Sequence, residues 1–175
     1  MFNKYLSYIF ILLLISIFSI FSGCDFSSDI TIIYSNDILA ELENCGCDDK
    51  QLGSLSRKAA VIDSLKKTDE NILNLDAGNL FFSKKPLNKI EKNEFLLKSK
   101  YILKAYNQIG VDALNIGEKD LIFGIDAITK LKEKSSFAFI SANILNKNRN
   151  SPIFEPYIIK EIYGKKSIFD KGSTE

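Results

Sequence analysis

The chain has 175 residues, 46% of them hydrophobic and 26% charged, with 23 basic and 22 acidic side chains and 0 His. That length supports one compact domain with its own core, and the hydrophobic content excludes a disordered chain. The even overall charge gives no reason to expect nucleic acid or another polyanion as a partner, and without an imidazole any metal ligation or proton transfer falls to carboxylates, amides, thiols and amines.

Lys4 precedes YLSYIFILLLISIFSIFSGC, an uncharged apolar run that stops at small residues before Cys24. This is the layout of a secretory signal, so residues 1–23 are expected to leave the mature protein and residues 24–29 to form a short tether. Phe21-Ser22-Gly23-Cys24 resembles a bacterial lipobox, with Phe21 in place of the usual Leu. The expectation is acylation of Cys24 and an extracytoplasmic protein held at a membrane by lipid. An uncleaved membrane anchor, or an ordinary signal peptide followed by an incidental cysteine, are the competing readings. Loss of residues 1–23 removes Lys4 and no acid, leaving 22 basic against 22 acidic side chains.

ITIIYSND, rich in Ile and closed by polar residues, predicts a buried strand with Asp37 at its carboxyl end. The loop ILAELENCGCDDKQLG follows. From Ser54 to Lys67 the spacing of Leu55, Ala59, Ile62 and Leu65 makes one apolar helical stripe, with Arg57 and Lys58 facing either phosphate or solvent. NILNLDAGN predicts a second strand with Asp76 and Asn79 at its end. After a Lys-rich loop around Pro86, a helix is expected over 94–108, with Leu97, Ile102, Ala105 and Ile109 inward and Gly110 as its stop. VDALNI predicts a third strand, residues 125–134 a third helix and FAFISAN a fourth strand. Strand and helix alternate, which predicts an α/β fold with a parallel sheet covered by helices and ligands bound at the carboxyl ends of the strands. On that rule Asp37, Asp76, Asn79, Glu118, Lys119, Asp120 and Asn143 can share one crevice.

Cys45-Gly46-Cys47 lies in the first loop. Two thiols around one glycine can chelate a soft metal, close a small disulfide ring or work as a redox pair, and export to an oxidising compartment permits the disulfide. Two cysteines alone do not complete a tetrahedral zinc site without Asp48, Asp49 or Glu43.

The ordered segments YSND, CGC, GSLSRKAAVIDSL, ILNLDAGNLFF, YNQIGVDALNIGEKDLIFG, FAFISANI and SPIFEPYII resemble the N-terminal half of the calcineurin-like metallophosphoesterase domain of bacterial 5′-nucleotidases, over residues 30–162. The resemblance implies part of a four-layer α/β/β/α sandwich over residues 30–163 and a divergent tail at 164–175. It also implies two divalent ions (Mn, Zn, Mg or Ca) at the strand ends, and a phosphate monoester such as a nucleotide as substrate. Asp37 matches the first acid of the family pattern, while Leu39 stands at a His position and Asn79 at the position of a bridging Asp. In the third motif Glu118, Lys119 and Asp120 replace Asn, His and Glu. The resemblance therefore implies Asp37, Asn79, Glu118 and Asp120 as metal ligands, Lys119 as the group acting on phosphate and Asn143 as a substrate contact. The family's His-bearing loops have no counterpart here, which implies a shortened, weak or inactive hydrolase and a separately encoded C-terminal half as a partner. Salt bridging of Lys119 to Glu118, Asp120 or Asp37 is the structural alternative. A non-catalytic surface binding module and a thiol redox protein built on Cys45 and Cys47 are the rival functions.

Overall fold

A computed structural model describes residues 29–43, 54–69 and 71–162, and the backbone of a last strand at 165–170. Strands β1 (Thr31–Ser35), β2 (Ile72–Asp76), β3 (Ala113–Asn115) and β4 (Ala138–Ile140) pair in parallel, in that spatial order. Between them run helices α1 (Leu55–Leu65), α2 (Lys89–Ile109) and α3 (Ile125–Lys132). When spatial order follows sequence order, right-handed crossovers set all three helices on one face of the sheet. The expected α/β architecture is present, and every strand delivers its carboxyl end to the same edge.

The core lies between that sheet face and the helices. Because side chains alternate along a strand, Leu114 and its register partner Phe139 face the helices. There they meet Phe81, Ile102, Tyr106 and Ile128, all fully buried. Phe139 stacks on Phe137 and Phe81, with centroids at 5.3 and 5.9 Å. Such pairs add roughly 0.5–1.5 kcal/mol beyond their area.

Helix α2 departs from the sequence expectation. It begins five residues before the expected Glu94, at Lys89, because Asn88 caps it by accepting from the Glu91 N–H at 2.9 Å. Leu97 points outward, since five residues of α-helix place it about 140° from Ile102, and the buried stripe is instead Phe95, Ser99, Ile102, Leu103, Tyr106 and Ile109. Gly110 ends the helix as expected, at φ 75.

After β4 the chain makes a small pair, β5 (Leu145–Asn146) with β6 (Ser151–Pro152), and then a hairpin, β7 (Tyr157–Ile162) with β8 (Lys165–Asp170). The sequence reading named no strand beyond β4. The Ser141 N–H donates to the Glu155 carbonyl at 2.9 Å, and the Lys160 ammonium binds the Asp112 carboxylate, bringing the hairpin beside β4. The signal for β7 was the alternation in YIIKEI.

A buried polar knot joins α1 and α2 to the sheet. Asp76 Oδ2 accepts from Ser35 Oγ and from the Tyr106 hydroxyl, each at 2.6 Å, and Oδ1 accepts from the Gly78 N–H at 2.9 Å. Lys58 Nζ donates to Ser35 Oγ at 2.6 Å and to the Tyr106 hydroxyl at 2.9 Å, and lies 3.7 Å from Asp76 Oδ2. Lys58 thus faces inward, and Asp76 is sealed beneath the crevice. Burial pulls the Lys58 pKa below its usual range, with the Asp76 charge opposing it. Burial and, next, the Asp76 charge push the Tyr106 phenol well above its range.

The unfolded chain sheds the Tyr106 proton near pH ~10 while the folded chain keeps it, so this group's contribution is full below that pH and stability falls as pH rises beyond it. Absorbance titration of the folded protein should show one tyrosine ionising only as the protein unfolds, and Tyr106→Phe should remove that delayed step at a cost of about 1–3 kcal/mol. A phenol at position 106 that titrates with the exposed tyrosines contradicts the knot.

Candidate functional site

Past the strand ends, the loop after β1 continues to pair with the loop after β2. The N–H groups of Asp37, Leu39 and Ala40 donate to the carbonyls of Gly78, Asn79 and Leu80 at 3.0, 2.9 and 3.0 Å. Asp37, Leu39, Ala40 and Asn79 all take positive φ, at 53, 55, 65 and 57. Asp and Asn tolerate this conformation, whereas at Leu39 and Ala40 it costs about 1–2 kcal/mol each. The β2 and β3 loops meet backbone to backbone. A Cβ on Gly78 would stand 2.7 Å from the Asn115 carbonyl oxygen and 2.8 Å from the Gly117 nitrogen, and one on Gly117 would strike Asn79 Oδ1.

Asp120 holds these loops together. It lies in a single 3-10 turn, Lys119–Leu121, and is fully buried. Its Oδ1 accepts from the Phe81 N–H at 2.8 Å, and its Oδ2 from the N–H groups of Asn79 at 2.8 Å and Gly117 at 3.0 Å. Burial lifts its pKa, while these three N–H donors work in the opposite direction. The expected role as a metal ligand gives way to a structural one, because the carboxylate turns into the loops and away from the crevice.

Above it the structure brings together three of the expected residues. Asp37 Oδ1 accepts from Asn79 Nδ2 at 2.8 Å, and Asp37 Oδ2 from Asn36 Nδ2 at 2.9 Å. Asn79 Oδ1 accepts from the Lys119 N–H at 2.9 Å. The side chain of Lys119 is half-buried and makes no ion pair among the described residues, so the salt-bridged alternative is not the arrangement found. Glu118 is exposed beside it. Asn143 sits beyond β4, where its Oδ1 accepts from Ser141 Oγ at 2.9 Å. Cys24, Cys45 and Cys47 lie outside the described residues. The sequence reading missed Asn36, a neighbour of Asp37 with no motif around it.

The donor set does not fit a pair of divalent ions. Among the described residues no group of three or more His, Cys, Asp or Glu side chains converges. The one neutral oxygen that Asn79 could offer is already bound to a backbone N–H, and an amide brings no negative charge to bridge two cations. What the arrangement offers is a hydrogen-bonded carboxylate and amide, with the backbone of Lys119 bound to that amide.

Asp120→Ala orphans three buried N–H groups and should cost about 3–5 kcal/mol in urea unfolding, whereas Glu118→Ala should stay within about 0.5 kcal/mol. Equal losses would contradict the assignment. Asn79→Asp replaces the donor to Asp37 by a second carboxylate and should cost roughly 2 kcal/mol or more in chelator, recovered in millimolar Mn²⁺ or Ca²⁺. Wild-type melting should ignore those cations, and a wild-type gain as large as the variant's would show a cation site already built.

No family model matches the chain. It is 26% identical over 107 residues to the 2′,3′-cyclic-nucleotide 2′-phosphodiesterase/3′-nucleotidase of Yersinia enterocolitica, covering 60% of this chain and 16% of that one. It is 24% identical over 148 residues to the 5′-nucleotidase of Bos taurus, covering 75% and 24%. In structure it matches the calcineurin-like phosphoesterase YfkN of Bacillus subtilis with a TM-score of 0.59 at 23% identity, over 79% of this chain and 45% of that one. The chain thus spans less than half the length of these relatives. The chain therefore has the fold of calcineurin-like phosphoesterases, and its sequence is similar to part of nucleotidases of the 5′-nucleotidase and cyclic-nucleotide phosphodiesterase kind.

Proposed function

We propose that this chain is a lipid-anchored extracytoplasmic protein whose strand-end crevice binds a phosphate monoester such as a nucleotide, with hydrolysis weak compared with its relatives. The observation that carries the reading is the position of Lys119, whose backbone N–H is bound to Asn79 Oδ1 beside Asp37 at the strand ends and whose ammonium makes no ion pair among the described residues. Lysine binds phosphate as a point charge and needs no metal to do so. The relatives are named for nucleotide phosphoesterase activities, which supports the choice of ligand class. Metallophosphoesterase relatives imply divalent metal use, and a resident pair would supply charge stabilisation and an activated water. The closed hydrogen bonds of Asp37 and Asn79 support the view that this chain's own residues bind and orient the ester instead. Anchoring rests on the apolar run before Cys24 and is tested separately by fatty-acid labelling that Cys24→Ala abolishes.

Calorimetry with a nucleoside monophosphate in chelator should show binding, and Lys119→Ala should weaken it about tenfold, the equivalent of one lost charge-assisted hydrogen bond. Binding that appears only with added divalent cation and survives Lys119→Ala would overturn the reading.

A further inference from the structure

The even charge of the whole chain conceals a strong local excess. Residues 84–104 and 125–134, which contain most of α2 and all of α3, carry ten lysines against four acids. Two of those acids are already matched, Glu91 by Lys84 at 2.8 Å and Glu94 by Lys98 at 3.0 Å. Between the two helices lies a groove of about 810 Å³. Lys92, Lys100, Lys104, Lys130 and Lys134 line it against the two remaining acids, Asp126 and Glu133, so cations outnumber anions there by five to two, and Leu96, Leu103 and Leu131 contribute to an apolar floor. None of the five rim lysines makes an ion pair among the described residues.

Beside this groove α2 exposes large apolar side chains along one line. Ile90, Leu97 and Tyr101 are 81, 53 and 58% exposed, and Leu87, just before the cap at Asn88, is 85% exposed. Positions 90, 97 and 101 fall within about 40° of one another around the helix, on the side opposite the buried stripe. No packing within the described fold uses this line. A tyrosine at its end offers an apolar body and a polar tip, and lysine stems beside it can extend their ammonium groups while covering apolar surface.

An exposed apolar ridge flanked by unpaired lysines matches a surface with acyl chains below and anionic headgroups above. We infer that the outer face of α2 and α3 docks on an anionic lipid surface, with Ile90, Leu97 and Tyr101 entering the interface and the groove lysines meeting headgroup phosphates. The charge and the apolar line are separate observations, and both select this occupant. An acidic polypeptide would use the lysines but leave the outward ridge unpartnered, and a second copy would set ten lysines against ten. The inference is independent of the crevice and of lipid on Cys24. It concerns which face of the folded domain meets the membrane.

The chain contains 0 Trp, so Tyr101→Trp in the full chain gives a single reporter on this face. The probe is vesicles of phosphatidylcholine with about 30% phosphatidylglycerol and brominated acyl chains, which quench only a residue at the interface. Quenching of Trp fluorescence is expected, with the lipid concentration for half-effect raised about tenfold or more by combining Lys100→Glu, Lys104→Glu and Lys130→Glu. High salt should act in the same direction. Protein that sediments with the vesicles through its N-terminal segment but stays unquenched would overturn the inference. So would equal quenching by vesicles of phosphatidylcholine alone, since the lysines would then be idle. A concentration-dependent shift without lipid, or a response to polyglutamate with none to vesicles, would assign the face to self-association or to an acidic polypeptide, and either result overturns lipid docking.

Discussion

The carboxylate of Asp120 lies beneath the crevice and accepts backbone N–H groups from Asn79, Phe81 and Gly117. Three buried donors from two loops converge on one side chain, and each would cost about 1–3 kcal/mol if left alone. The loops can close on it only because Gly78 and Gly117 carry no Cβ where the two backbones touch. That closure sets the position of Asn79, and Asn79 in turn orients Asp37. The positive φ values at Leu39 and Ala40 are held by the same pairing with residues 79 and 80. The crevice is therefore shaped from below by a buried carboxyl group, and its upper residues follow.

This foundation explains how a metallophosphoesterase-like fold is retained with altered donors at its strand ends. The sheet order, the loop pairing and the Asp76 knot fix the backbone frame without calling on any ligand in the crevice. The polar residues at the surface are then bound to one another: carboxylate to amide, and amide to the backbone of Lys119. A cation entering there would have to break bonds that the fold already makes. Charge organises the outside in the same way, with cations gathered on α2 and α3 in a chain that is balanced as a whole.

Much of this was legible in the sequence. Alternating apolar runs and helical stripes gave the parallel sheet, Gly110 marked a helix end, and strand-end logic brought Asp37, Asn79 and Lys119 to one place. The rest depends on contacts that periodicity does not encode. Lys58 lies on a helix whose pattern permits a solvated lysine, and only the approach of Asp76, Ser35 and Tyr106 turns it inward. Asp120 reads as one more acid in a charged triplet until its burial is known. Hydrophobicity alone points Leu97 inward, whereas its angle of about 140° from Ile102 turns it out to solvent. The hairpin of β7 and β8 was hidden because its strand pairing is with a segment that carries no motif.

Amide hydrogen exchange at Asn79, Phe81, Gly117 and Lys119, measured with and without a strong chelator, tests the central claim most directly. If Asp120 and Asn79 hold these N–H groups within the protein, protection is the same in both conditions. Protection that collapses on chelation would mean that a bound cation, and not the buried carboxylate, fastens the loops.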